Sequence, residues 1–224
     1  MANRMRLVID KLIGHEQKGF MKGRYIGECT RTVYDVMWEV KNSRNPVNAM
    51  LLMADFKSAF DSLDHAFVHN VMEMFNFGES YRKWIRVMFA GAESTICQNG
   101  TSTQFFKVER GCRQGDCCSP LVFVLCAEIL AIMVRRNEEI KGFVKDGVIC
   151  KIEQYADDTT FVLDGTSQSL NACLSTVKTF GNFSGLELNV NKTQVFWMGP
   201  GTAPAFLSDA GFLIAEDKFT LLGI

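Results

Sequence analysis

Asp157 and Asp158 stand side by side in the stretch QYADDTTFVL (154–163), between runs of strand-forming residues. Asp55 closes a second such run, AMLLMADF (49–56). Adjacent carboxylates repel one another and are costly to hold near a sheet. That cost is offset where the three groups converge on hard divalent cations. Two Mg²⁺ ions between carboxylates are the usual device for in-line phosphoryl transfer. An acidic pair in a hairpin turn is also commonly just solvated, so the neighbouring residues decide. His65 and His69 have an i, i+4 spacing that can bind zinc, but no Glu follows His65 as in a zinc-protease helix. Cys112, Cys117 and Cys118 form no CxxC pair and read as buried or incidental thiols.

The elements that must position these groups follow from periodicity. NAMLLMADF is a short continuous apolar run, as a buried central strand requires. VICKIEQYADDTTFVLDG reads as two strands joined by a tight turn at the acidic pair. Helical spacing covers 3–13 and 29–41, with the Gly-punctuated loop KGFMKGRYIG between them. Ser62 and Asp64 offer caps for a helix burying Phe67, Val71 and Phe75 and ending at Gly78. YRKWIRVMFAG is a further helix, closed at Gly91. Asn99-Gly100 marks a hairpin within STICQNGTSTQFFKVE. A buried helix covers 121–134 and another about 167–183; LELNVNKTQVFWMG reads as a second hairpin turning near Asn191-Lys192, and FTLLGI starts one more strand. Strands and helices interleaved with hairpins favour an α+β fold, an antiparallel sheet packed on helices, over a parallel barrel.

Composition bounds the rest. The 224 residues are 47% hydrophobic and 22% charged, enough for one folded unit with a sizeable core and too apolar for disorder. The longest apolar run carries Glu128 and is too short to span a bilayer, so no membrane partner is expected. Eight irregularly spaced cysteines behind an N-terminus without a signal-peptide layout point to free thiols in a reducing, intracellular compartment, cytoplasm or nucleus. Net charge is −1, but residues 1–44 hold nine Lys/Arg against five acids, leaving −5 for the remainder. A basic lobe beside an acidic one suits a phosphate-contacting surface next to a metal-binding one, although uneven solvated charge produces the same counts.

Five stretches in order carry a resemblance: ADFKSAFDSLDH (54–65), RGCRQGDCCSPLVF (110–123), YADD (155–158), SGLELNVNKTQVFWMG (184–199) and LLGI (221–224). Together they resemble the palm motifs of reverse transcriptases of non-LTR, LINE-type retrotransposons; QKGFMKGRYIGE resembles the late-fingers segment. The resemblance implies a right-hand polymerase palm with partial fingers, 1–48 being fingers and 49–224 palm, with fingers-proximal elements inserted at about 79–110. It implies an RNA-directed DNA polymerase acting on an RNA template, a DNA primer and dNTP, with two Mg²⁺ ions that Mn²⁺ can replace. By motif position Asp55, Asp157 and Asp158 are the catalytic carboxylates, and the Phe56 carbonyl is a further metal ligand. Phe60 falls where the family places the aromatic that excludes a ribose 2′-hydroxyl, with core packing as its other reading. Gln114 and Gly115 match the loop beneath the nucleotide, and Arg113 and Arg110 flank it, read either as phosphate contacts or as exposed surface arginines. Lys192 matches the lysine beside the departing pyrophosphate, with a solvated turn lysine as its other reading, and Tyr155 packs against primer or sheet.

Two departures qualify this. Cys117-Cys118 stand where the family has Pro-Leu, which removes a stiffening proline from the nucleotide-facing loop. The family's basic fingers hairpin and its thumb would lie outside the 224 residues. The chain taken alone is therefore expected to hold metal and to polymerise poorly or not at all, with Lys18, Lys22 and Arg24 as partial substitutes. An inactive relic that binds nucleic acid is a second reading. An RNA-directed RNA polymerase is a third, disfavoured by Ala156 and Phe60.

Overall fold

A computed structural model describes residues 1–145 and 147–215; the expected strand FTLLGI and the LLGI motif lie outside them. In chain order the elements are α1 (Ala2–Ile9), α2 (Ile26–Asn42), β1 (Met50–Ala54), α3 (Ala59–Ser62), α4 (His65–Met74) and α5 (Glu79–Phe89). Four two-residue strands follow: β2 (Glu93–Ser94), β3 (Cys97–Gln98), β4 (Thr101–Ser102) and β5 (Phe106–Lys107). After them come α6 (Ser119–Arg136), β6 (Phe143–Lys145), β7 (Val148–Cys150), β8 (Ile152–Tyr155) and β9 (Asp158–Leu163). The chain then forms α7 (Ser167–Ser184), β10 (Gln194–Trp197), α8 (Ala205–Asp209) and β11 (Leu213–Ala215).

The central sheet has the order β11-β10-β1-β9-β8, antiparallel except for the β10–β11 pair. β1 lies in its middle, and all five of its residues are buried. Its alternation divides them between two layers. Met50, Leu52 and Ala54 join the large core with α1, α4, α6 and α7, while Leu51 and Met53 meet Val33 and Val36 of α2 on the other face. A strand covered on both faces has no polar side, which is why β1 reads as an unbroken apolar run. α6, also buried nearly all round, is the spine of the larger layer. No helix among the described residues is long and apolar enough to cross a membrane.

Several expectations hold locally. The Asp64 carboxylate caps α4 by accepting from the Phe67 N–H at 2.8 Å. Asn99 and Gly100 both take positive φ, 51° and 80°, as a type I′ hairpin needs. Others need correction. α1 stops at Ile9, four residues early, and runs on as turns. Gly78 does not end α4, since Asn76 turns the chain at φ 57° and Gly78 is the N-cap of α5. The second hairpin does not form: Leu188 pairs with Phe56, and β10 lies between β1 and β11. Central sheet pairing outweighs the local turn signal there.

Candidate active site

β1 delivers Asp55 at its end, and β8 and β9 deliver the acidic turn beside it. Ala54 is the register partner of Thr159, so Asp55 and Asp158 follow at facing positions where the two strands leave the core. Tyr155 pairs with Asp158, which makes Ala156 and Asp157 a two-residue turn. Ala156 holds φ at 59°, a left-handed conformation that a residue with a Cβ takes only under constraint.

A cleft of 410 Å³ is lined by Asp55, Asp158, Thr159, Thr160, Asn191 and Lys192, among others. Lys192 is exposed on the turn leading into β10, held by its N–H donating to the Asn189 carbonyl. That turn is fastened to the β1 exit, because Asn189 N–H donates to the Asp55 carbonyl at 2.7 Å. Burial pushes the half-buried Asp157 carboxyl above the usual carboxylate range, and the Asp55 charge adds to the shift. Asp158 is pushed the same way, by desolvation and then by the charges of Asp157 and Asp55. Among the described residues none of the three forms an ion pair with Lys or Arg. The group is a concentration of negative charge made of hard oxygen donors, the chemistry that Mg²⁺ and Mn²⁺ accept.

The carboxylates are not tightly gathered. Among the described residues the set of three metal-ligating groups lying within 4.8 Å of one another is Asp116, Cys117 and Cys118. Asp116 is already engaged there, accepting from the Ser119 N–H at the start of α6.

The remaining sequence candidates divide. The bridge between Phe56 and Leu188 is made by the flanking bonds Lys57 N–H to Glu187 O and Asn189 N–H to Asp55 O. This leaves the Phe56 carbonyl outside the pairing while its ring is buried in the core. Phe60 is only partly buried, stacked on Phe123 and edge-on to Phe20. The loop carrying Arg113, Gln114 and Gly115 is tied to α3 by Cys112 N–H donating to the Phe60 carbonyl. All three residues are exposed, and none lines the cleft with Asp55. Gly115 is at φ 87° with open space where a Cβ would sit, so glycine serves the backbone conformation rather than close packing within the protein. Arg110 faces a different cavity, with Lys178 and Glu187. Tyr155 is half-buried at the end of β8.

His65 is occupied, its Nε2 2.9 Å from the Gly111 carbonyl and its ring stacked on Phe89. All eight cysteines are free. Two of the three cations named as partial substitutes for the fingers hairpin are spent structurally. Lys18 is buried and paired with Glu28, and the Arg24 guanidinium donates to the carbonyls of Ile13, Gly14 and Gln17. Lys22 alone of the three is exposed. Gln17 is fully buried against the acidic turn, and no local signal in the sequence marks it, because its partner lies 139 residues away.

Comparison with known proteins places this geometry. Over 216 residues the chain is 24% identical to the Pol polyprotein of a type-1 retrotransposable element R2 of Nasonia vitripennis, covering 95% of this chain and 20% of that protein. Over 161 residues it is 25% identical to a 149 kDa protein of transposon TX1 of Xenopus laevis, covering 71% of this chain and 12% of that one. The chain thus spans a fifth or less of the length of these relatives. Among solved structures, telomerase of Candida tropicalis in complex with a fragment of telomeric RNA superposes with a TM-score of 0.65 at 12% identity, over 89% of this chain and 33% of that one. Telomerase of Candida albicans gives 0.63 at 12% identity, over 87% and 33%. These likenesses show the right-hand polymerase fold. Residues 1–224 match throughout the family described as reverse transcriptase (RNA-dependent DNA polymerase), and to that family the chain belongs.

Proposed function

We propose that the chain is the catalytic core of an RNA-directed DNA polymerase that joins a dNTP to a primer 3′-hydroxyl on an RNA template. The observation carrying this reading is the facing placement of Asp55 and Asp158 at the ends of paired strands, with Lys192 in the same cleft. We assign residues 49–224 to the palm and 1–48 to part of the fingers, with 79–110 as fingers-proximal elements.

Asp55, Asp157 and Asp158, with the Phe56 carbonyl, would hold two Mg²⁺ ions. Bound there, the ions supply charge neutralisation at the attacking and leaving oxygens. The protein's part is placement. The strand ends fix the carboxylates, and the proton affinity of Asp157 and Asp158 is raised first by burial and then by like-charge crowding, which a cation relieves. Lys192 offers an ammonium to the charge and proton demand of the leaving pyrophosphate. Phe60, backed by Phe123, presents an aromatic surface that leaves a 2′-hydroxyl neither room nor partner. Gln114 and Arg113, free on the surface of the loop beside Phe60, have donors available for substrate or template. Family membership supports the reaction class, and the telomerase structures were solved with RNA.

The test is primer extension on an RNA template, in a protein that carries this chain at the length of its R2-type relatives. Template-dependent dNTP incorporation that disappears in Asp55→Asn supports the reading. Incorporation unaffected by Asp55→Asn contradicts it, and a folded protein that binds RNA without incorporating dNTP would make the chain a binding relic.

A further inference from the structure

We propose that Gln17 is a positioning residue: its amide clamps the Ala156 backbone and so holds the neighbouring Asp157 and Asp158 where they serve as ligands. The proposal rests on the reading of those carboxylates given above, and adds a residue of the amino-terminal segment to that site.

The amide is used at both ends. Gln17 Oε1 accepts from the Ala156 N–H at 2.8 Å and from the Gly19 N–H at 2.8 Å. Gln17 Nε2 donates to the Ala156 carbonyl at 3.1 Å. Ala156 thus has both backbone polar groups bound by one side chain, and it is the residue held at positive φ. A methyl-bearing residue at the first position of a two-residue turn has no intrinsic preference for that conformation. The constraint has to come from outside the turn, and the described contacts supply it from Gln17.

The segment bearing the clamp is itself fixed. Lys18 N–H donates to the Gln154 carbonyl and Gln154 N–H donates to the Glu16 carbonyl, so residues 16–18 extend the sheet beyond β8. Behind them Arg135 of α6 bonds Glu16 at 2.8 Å and Glu128 at 2.6 Å, and Glu128 accepts from the Gly14 N–H. Gly19 allows the close approach, since a Cβ there would run into the backbone nitrogen of Ala156. The next residue, Phe20, meets the ring of Phe60 edge-on, with centroids 6.3 Å apart. A single short stretch therefore touches both the acidic turn and the aromatic beside it.

The experiment uses the 224-residue chain and reads Mn²⁺ affinity by electron paramagnetic resonance, with amide hydrogen exchange of residues 154–158. Gln17→Met keeps the volume and removes all three bonds. Its unfolding should stay cooperative, its exchange at 154–158 should quicken, and its Mn²⁺ affinity should fall about 10–100-fold, the range for outer-shell partners of ligands. Adding Ala156→Gly to Gln17→Met should restore much of that affinity, because glycine takes positive φ without a clamp. A role for Gln17 in general packing alone would not be reversed by a change at Ala156. Mn²⁺ affinity within about twofold of wild type, with unchanged exchange at 154–158, overturns the proposal when Asp157→Asn has lost the ion. If Asp157→Asn binds Mn²⁺ like wild type, the reading of the carboxylates fails first and takes this proposal with it. Should Gln17→Met not fold, Gln17→Leu carries the same test, since it stays apolar, adds no charge and makes none of the three bonds.

Discussion

Phe60 lies nearly flat on Phe123, with ring centroids 4.3 Å apart and planes inclined by 17°. Phe123 is buried in α6, so Phe60 is backed by the core while remaining partly open to solvent. Phe56, its equally large neighbour, is buried in the core. The pair therefore separates into a core ring and a surface ring, a distinction the stretch DFKSAF does not carry by itself.

Replacing Phe60 by Val is expected to admit ribonucleotides, with deoxynucleotide incorporation falling modestly. The shift in discrimination should be on the order of 1–3 kcal/mol, the scale of one steric contact in a pocket. The ratio of kcat/KM for the two sugars measures it. An unmoved ratio would leave Phe60 as a packing residue.

Lys192 is expected to act on the rate of transfer and not on ion binding. Lys192→Met should slow single-turnover extension by about 100-fold or more, the lower end for a lost general acid, while Mn²⁺ affinity stays near that of wild type. Extension at the wild-type rate would return Lys192 to the class of solvated turn lysines.

Glu153 gives a pH-dependent prediction. Burial pushes its carboxyl up to about 7, with nearby Lys18 opposing the shift. The folded state then holds a proton that the unfolded chain releases at the ordinary carboxylate pKa of about 4.3. Stability is fully present below that pH and is lost as pH rises toward 7. Glu153→Gln should therefore stabilise the chain at pH 8, by roughly 2–3 kcal/mol, and do little at pH 4. Urea unfolding at the two pH values checks this, and equal effects at both would contradict it.

Arg135→Met should be among the most damaging single changes outside the cleft. It would leave Glu16 and Glu128, both buried, without their shared guanidinium. The expected loss is about 3 kcal/mol or more, since a buried charge left unpaired costs far more than the intact pair contributes. A change under about 1 kcal/mol in urea unfolding would show that the carboxylates are relieved some other way.

The parts of this molecule legible in sequence are those whose signal is local. The both-sides burial of β1 shows as an unbroken apolar run, the cap of α4 as Asp64, and the Asn99-Gly100 hairpin as a dipeptide that accepts two positive φ values. Motif order singles out the three carboxylates, and the structure places Asp55 opposite Asp158. What stayed hidden depends on partners that folding, not local spacing, brings together. LELNVN could not announce that Leu188 pairs with Phe56, and Lys18 and Arg24 gave no sign that nearby carbonyls and Glu28 would consume them. Gln17 is the extreme case, a polar residue whose side chain binds the backbone of Ala156, 139 residues away.

The central claim is that Asp55, Asp157 and Asp158 form one divalent-ion site, and Mn²⁺ titration of the 224-residue chain followed by electron paramagnetic resonance tests it most directly. The isosteric variants Asp55→Asn and Asp157→Asn remove charge and keep shape, so both should fold like wild type. The account predicts saturable binding in the wild type that falls by at least about tenfold in each variant. Wild-type affinity in both variants would contradict it.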